Sequence, residues 1–323
     1  MKIQKKFRKI FPKKRITILT LPQHYNGSVC SWLTECWTEM GYRVEVISDL
    51  KQKIKTDLLI IHLDLTEIPV ELITEASQYC HLNVNGLATS IDKTLFSKHI
   101  LQANSEYENK VIVKTKENYG GIPELINKIK EINYSDLNEH FEKIQLAFHN
   151  QTEESDLLWR TTSILDPSNY PIFESFREVP SCIWENPKLM VEKFLPEINE
   201  DGNHVLRHWY FFGDREFNRK LTAKHHCPKW ASMTEHERIL SRNEWWDIKV
   251  TEQTRVPKEV ISVRENLNLD FGRIDWVFND GEPVVFDANK TPGIGTWSLE
   301  SEFDRHRSSI MKDLAKGIDK FFI

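Results

Sequence analysis

The sequence predicts an α/β protein whose C-terminal part turns α+β. Two observations predict it. Within roughly the first ninety residues, short apolar strands alternate with stretches of helical period, the pattern of an open, mostly parallel sheet. Toward the C-terminus, strand-like runs follow one another directly, joined at Gly213–Asp214 and again near Asp280–Gly281. Direct succession of this kind belongs to hairpins.

In order, Arg15 to Pro22 reads as a short strand. Ser28 to Met40 mixes apolar and polar residues at helical period, and Gly41 suits a helix C-terminus. "YRVEVIS" and "TDLLIIHLDL" are further strands, the second apolar enough to be buried on both faces. A helix is expected over Val70–Tyr79, followed by "HLNVN". "SIDKTLFSKHIL" starts a helix with Ser90 as its N-cap. "KVIVKTKENYGGIPELINKIKEI" reads as strand, glycine turn and helix. Asn133 to Asn186 is first helical and polar, then irregular around Pro167, Pro171 and Pro180. "PKLMVEKFLPE", "HVLRHWYFFGD" and "EFNRKLTAKHH" are strands, and "VPKEVISVRENL" is a helix. The closing stretch, with Ile310, Leu314 and Ile318, forms an amphipathic helix that packs on the core.

Composition narrows the function classes. With 40% hydrophobic and 28% charged residues, the 323-residue chain has enough apolar content for two or three cores and is not a disordered one. A net charge of −5 gives no general attraction to nucleic acid, so no nucleic-acid partner is expected. Ten tryptophans fit cores and pocket linings better than a base-stacking platform. Cys30, Cys36, Cys80, Cys182 and Cys227 show no CxxC pair and read as reduced thiols. No run has the length and apolarity of a membrane span or a signal-peptide core, so a cytoplasmic protein is expected. The basic segment 1–15 carries eight Lys/Arg beside Ile3, Phe7, Ile10 and Phe11. It is expected to be a solvated tail, with weak contact to an anionic membrane surface as the other reading.

The chemistry concentrates in "FGRIDWVFNDGEPVVFDANKTPG", Phe271 to Gly293. Arg273, Asp275, Asp287 and Asn289 are odd-numbered; Ile274, Trp276, Phe278, Val284, Phe286 and Ala288 are even-numbered and apolar. Strand side chains alternate between faces. A two-residue turn at Asp280–Gly281 pairs Asp275 with Phe286 and separates the polar sets. A three-residue loop, Asn279–Asp280–Gly281, pairs Asp275 with Val285 and Arg273 with Asp287, uniting them. Burial of one face favours the three-residue loop, with Gly281 in the left-handed region. Two carboxylates and an amide oxygen on one face suit Mg²⁺, which binds few protein oxygens beside the phosphates of a nucleotide. A solvated hairpin face with an Asp–Arg pair is the alternative. The glycines of "NKTPGIGT" leave Gly293 to Thr296 free to bring backbone N–H groups to an anion.

These residues resemble the C-terminal signature of the ATP-grasp superfamily, in particular glutathione synthetase and D-alanine–D-alanine ligase-like carboxylate–amine ligases. The signature has Arg-x-Asp on one strand, Glu/Asp-x-Asn on the next, and a Pro-Gly loop. The resemblance implies an ATP-grasp fold preceded by an open parallel α/β domain. Its units would be 1–15 (tail), 16–88, 89–195 with an insertion near 133–186, and 196–323. It implies ATP and Mg²⁺, with Mn²⁺ as a substitute, and places the metal on Asp275, Asp287 and Asn289. Arg273 would steady the transferred phosphoryl group. Lys93 and Lys114 would meet nucleotide phosphates, and Gly120 and Gly121 would form a loop that closes over ATP. Glu192 and Lys193 would contact adenine, Asp201 the ribose, and Arg207 a phosphate or the substrate. Arg219 and Lys220 are phosphate candidates as much as a solvated strand edge. Asp287 stands where Glu is commoner, and His204–Val205–Leu206–Arg207 replaces an Asp-x-Arg pattern.

The implied reaction is ATP-dependent ligation of a carboxylate, on a small molecule or peptide, to an amine through an acyl phosphate. A small-molecule kinase and an inactive nucleotide- or peptide-binding module are the rival readings. The resemblance is compatible with a homo-oligomer. "KHHC" (Lys224–Cys227) lacks a second ligand pair at zinc spacing, so no zinc site is expected there.

Overall fold

The computed structural model describes residues 14–21, 25–50, 55–129, 133–150, 152–228, 233–239, 241, 255–294 and 302–322. The basic tail, and with it the membrane-contact reading, lies outside them.

Three sheets organise the chain. The first is parallel, in the order β2–β1–β3–β4, from β1 (Arg15–Thr20), β2 (Arg43–Ile47), β3 (Leu58–His62) and β4 (Asn83–Val84). Helices α1 (Val29–Glu39) and α2 (Val70–Tyr79) connect the strands. Ser28 caps α1 by accepting from the Ser31 amide. β3 is buried at all five positions, as its unbroken apolar run requires.

The second sheet has the order β6–β5–β7, from β5 (Val111–Thr115), β6 (Ile172–Phe173) and β7 (Leu189–Lys193). Helices α3 (Ile122–Ile129), α4 (Tyr134–His149), α5 (Glu153–Thr161) and α6 (Ser181–Glu185) surround it. Ile144, Trp159, Leu165, Tyr170 and Ile183, all from 133–186, fill one core with Val111, Val113 and Val191. That stretch is therefore an integral wall of this unit.

The third sheet runs β10–β9–β11–β12, with β8 (Glu197–Ile198) added on β9. Its long strands are β9 (His204–Phe212), β10 (Arg215–Ala223), β11 (Phe271–Asn279) and β12 (Glu282–Asn289). Helix α7 (Lys258–Asn266) covers the face that carries Trp209, Phe211, Ile274, Trp276 and Ala288. Helix α8 (Glu302–Ala315) packs into a core that the first unit shares with Tyr210, Phe212 and Phe271 of the third sheet. Trp37 Nε1 donates to Ala315 O at 2.9 Å there.

Two local expectations are corrected. The helix expected from Ser90 is a single 3₁₀ turn, Lys93–Leu95, capped by Asp92 rather than Ser90. Beyond it the chain extends to hydrogen-bond with β7, Leu101 N donating to Val191 O at 2.8 Å. The Gly120–Gly121 turn is not an open loop. Both glycines are buried with positive φ, and Leu165 N donates to Gly120 O at 3.0 Å. A Cβ on Gly120 would lie 2.1 Å from Leu165 O. Gly120→Ala should therefore destabilise the fold by about 2–4 kcal/mol, combining left-handed strain with overpacking. Urea denaturation checks this; an unchanged midpoint would contradict the packed turn.

Candidate functional site

The hairpin register differs from the expected one, and the difference builds the site. Near the turn, Asn279 pairs with Glu282 and Trp276 with Val285, which makes a two-residue turn of Asp280 (φ 50°) and Gly281 (φ 84°). The three-residue loop is thus corrected. Between Asp275 and Trp276 the register shifts, leaving Phe286 as the extra residue of a bulge. Beyond it Asp275 faces Asp287 and Arg273 faces Asn289. The bulge unites the four polar residues, at the cost of the clean apolar face. Val277, Val284 and Phe286 cluster with Leu206 and Leu195 on the polar side, and Val285 joins the α7 side.

Residues directly opposite on neighbouring strands share a face. The ladders therefore define rows across the sheet. One row reads Arg219–His208–Asp275–Asp287, and the next Phe217–Tyr210–Arg273–Asn289. On the other face lies Lys220–Arg207–Trp276–Val285. Arg207 and Lys220 are thereby turned away from the carboxylates. Arg207 pairs with Glu197 and lies over the Trp276 and Phe278 rings, 5.4 and 5.1 Å from their centroids. Arg219, on the site's face, is the arginine of β10 that the rows bring in, with His208 and Tyr210 beside it.

Electrostatics hold the centre rigid. Arg273 grips Asp275 with two hydrogen bonds, Nε to Oδ1 at 2.6 Å and a terminal nitrogen to Oδ2 at 2.8 Å. Burial opposes its charge, but Asp275 and Tyr210 hold the guanidinium above its ordinary range. His208 Nε2 lies 3.8 Å from Asp275 Oδ1. Burial lowers the Arg219 guanidinium, with Tyr210 opposing.

Facing this sheet across a narrow slot are two buried lysines. Lys93 Nζ donates to Glu117 O at 2.9 Å and lies 3.4 Å from Asp287 Oδ1. Lys114 Nζ lies 2.7 Å from Glu192 Oε2 and 4.8 Å from the Phe286 ring centroid. Glu192 thus serves Lys114 and accepts from Ser97 Oγ, and does not line the slot. Ile112, Phe194, Leu195, Leu206 and Phe286 supply apolar walls; Lys93, Lys114, Lys193, Asp275 and Asp287 supply charge. The Lys193 ammonium lies 5.2 Å from the Tyr107 ring centroid. Asp201 is exposed on the turn between β8 and β9, outside the lining. Gly120 and Gly121 lie outside it as well.

Tyr170 is a wall residue that the sequence did not single out. Burial, then Asp287, pushes its phenol well above the usual range. Lys290 was missed too. It is 1% exposed, and its ammonium donates to Thr66 O at 3.3 Å and Ala88 O at 3.4 Å. Beside it Thr291 Oγ1 and Asn118 Nδ2 both donate to Asp64 Oδ1, at 2.7 and 3.2 Å, tying the hairpin's end and the glycine turn to β3's end. Burial pushes the Lys290 pKa down to about 8, with Asp64 opposing. An unfolded lysine titrates near about 10.4. Between these values the unfolded chain binds more protons, so this group's contribution to stability rises with pH; below about 8 the full burial penalty is present. The stability of wild type relative to Lys290→Met should therefore climb between pH 7.5 and 10 in urea titrations. A flat difference would contradict the shift.

The donor set fits a hard cation. Asp287 and Asn289 project from one face of β12, and Asn289 Nδ2 is buried without a partner among the described residues. Because amide O and N are interchangeable by a flip, that end of the side chain offers an oxygen where a ligand is missing. Asp275 has two lone-pair directions taken by Arg273, which leaves it the lesser donor. No group of three His, Cys, Asp or Glu suited to a metal occurs among the described residues. The Gly293 loop is stitched to the turn that precedes α1, with Ile294 N donating to Gly27 O at 3.0 Å. Positions 295–301 of the expected anion loop lie outside the described residues. The His225 and His226 rings lie 4.2 Å apart, tilted by 31°, and His226 Nε2 lies 3.2 Å from Tyr170 O.

Fold and site together define a chain with a parallel α/β unit followed by two antiparallel sheets that face each other across a charged slot. No family model and no curated protein matches the sequence. Among solved structures, the chain is similar to D-alanine–D-alanine ligase from Bacillus anthracis (TM-score 0.45, 11% identity, 96% of this chain and 97% of that one). It is also similar to a RimK-domain ATP-grasp protein from Sphaerobacter thermophilus (0.40, 9%, 96% and 100%). A third is the macrocyclase MdnC bound with precursor peptide MdnA from Microcystis aeruginosa (0.42, 9%, 94% and 99%). Likeness this distant leaves the assignment of activity to the chain's own residues. No helix among the described residues is long and apolar enough to cross a membrane.

Proposed function

We propose that the chain is an ATP- and Mg²⁺-dependent carboxylate–amine ligase. The observation that carries this reading is the opposition of two buried lysines to the Arg273–Asp275–Asp287–Asn289 set across one slot. The slot divides its lining between charged side chains and apolar walls. That division matches a triphosphate and a planar base. The base would lie between Ile112, Leu206 and Phe286. The Leu195 N–H borders the slot and makes no hydrogen bond among the described residues, so it is placed to donate to the ring edge.

Lys93 and Lys114 neutralise phosphate oxygens, each exchanging part of its present carboxylate contact for a phosphate. Asp287 and Asn289 would hold Mg²⁺, which would supply Lewis-acid stabilisation of charge on the phosphates. A substrate carboxylate oxygen attacks the γ-phosphorus and ADP leaves. An amine then attacks the acyl carbon, loses a proton, and inorganic phosphate leaves. Arg273, fixed by Asp275, stabilises the negative oxygens of both steps. Substrate identity is open to amino acids, peptides and related acids.

A screen of carboxylic acids, with and without amines, for ADP release tests the reading. Acid- and amine-dependent ADP release with free inorganic phosphate supports it. Phosphate retained on the acceptor points to a kinase, and nucleotide binding without turnover under any pair points to a binding module.

A further inference from the structure

A second cavity lies behind one wall of the slot. It is an open cleft of about 470 Å³, a volume typical of small-molecule sites. Tyr170, Phe194, His204 and His226 line both it and the slot. Gln145 and Phe148 of α4, and Asn169, line the outer cavity alone.

Its chemistry is unlike that of the slot. Lys110 is the one lysine or arginine in its lining, and Glu174 neutralises it at 2.9 Å. Burial lowers the His204 pKa, and burial with His225 pushes that of His226 down to about 4, so both imidazoles are neutral near pH 7. A phosphate or carboxylate would find no unpaired Lys or Arg here. Flat surfaces come from Phe148, Phe194 and the imidazoles of His149, His204 and His226, Phe194 standing 6.2 Å from the last two rings. Hydrogen-bonding capacity is unspent. Gln145 Nε2 donates to Asn169 O at 3.0 Å, while neither the Asn169 side-chain amide nor the His204 ring has a partner among the described residues. Side-chain amides place a donor beside an acceptor, the pattern that matches the edge of a nucleobase.

We propose that the outer cavity binds an uncharged nucleoside or nucleobase, and that its occupancy is felt in the slot through the shared wall. Nucleoside binding stands independently of the ligase reading, and its effect on the slot rests on ATP binding there.

The test titrates adenosine, guanosine, cytidine and uridine into the full chain, with and without saturating ATP and Mg²⁺, by calorimetry. The expected result is binding of one nucleoside that persists with ATP present. That binding weakens about tenfold or more in Asn169→Leu or Gln145→Leu, as loss of a specific hydrogen-bonding edge does. The same nucleoside shifts ATP affinity about fivefold in wild type. Two variants guard against a fold defect in either one, and thermal denaturation confirms that each is folded. Absence of nucleoside binding at millimolar concentration overturns the proposal. So does binding that is equal in wild type and both folded variants, since such binding lies elsewhere.

Discussion

Arg273→Met should lower turnover by about 10²–10³-fold, the usual cost of removing one preorganised donor from a developing negative charge. The same change should cost about 3–5 kcal/mol of stability. Asp275 is 4% exposed and accepts two hydrogen bonds from Arg273, so truncation strips a buried carboxylate of its two-pronged cationic partner. The two effects separate in the double variant Arg273→Met/Asp275→Leu. Removing both charges should recover most of the stability, because replacing a buried pair by apolar groups is close to neutral. It should recover none of the turnover. Arg273→Lys should not rescue turnover either, since one ammonium cannot reproduce the two-pronged grip. Recovery of activity together with stability would mean that Arg273 is structural only.

Asp287→Asn with Asn289→Ala should lower Mg²⁺-dependent nucleotide affinity by about a hundredfold or more, since a cation of this kind depends on one or two protein carboxylates. The asparagine keeps the shape of Asp287 and its contact with the Ala288 amide at 3.1 Å. What it removes is the negative charge beside Lys93, 3.4 Å away and 2% exposed in its side chain. A modest loss of stability accompanies it, because that ammonium keeps only Glu117 O as a close partner among the described contacts. Thermal-shift titrations with ATP at low and high Mg²⁺ read the change. Equal ATP-induced shifts in wild type and variant would show that the cation is held elsewhere.

Much of this site is legible in sequence because hairpin alternation is a strong signal. The odd-numbered polar set of Phe271–Asn289 does share one face. The route to that face is not legible. A bulge at Phe286 depends on how β12 meets β11 and on where Phe286 packs, at Leu206, and no local pattern announces it. The misplaced arginine has a related cause. β9 is buried at seven of nine positions, so its burial does not alternate and its sequence does not say which side chains face the slot. Arg207 looks like a ligand by order along the chain, yet only the ladder from Asp275 to His208 to Arg219 identifies the inward residue. The parallel sheet was readable from its unbroken apolar strands. The wall at Tyr170 was not, since prolines and bends erase periodicity around it. Gly120 and Gly121 illustrate a further limit: positive φ was foreseeable, but the reason for it here is close approach to Ser163 and Leu165 backbone.

If one slot holds a nucleotide through a metal, calorimetry of ATP with the wild-type chain, in EDTA and in excess Mg²⁺, reads it out. Saturable binding at one site is expected in Mg²⁺, weakening sharply in EDTA. Folded protein that binds no ATP in either condition, or binds it equally in both, would contradict it.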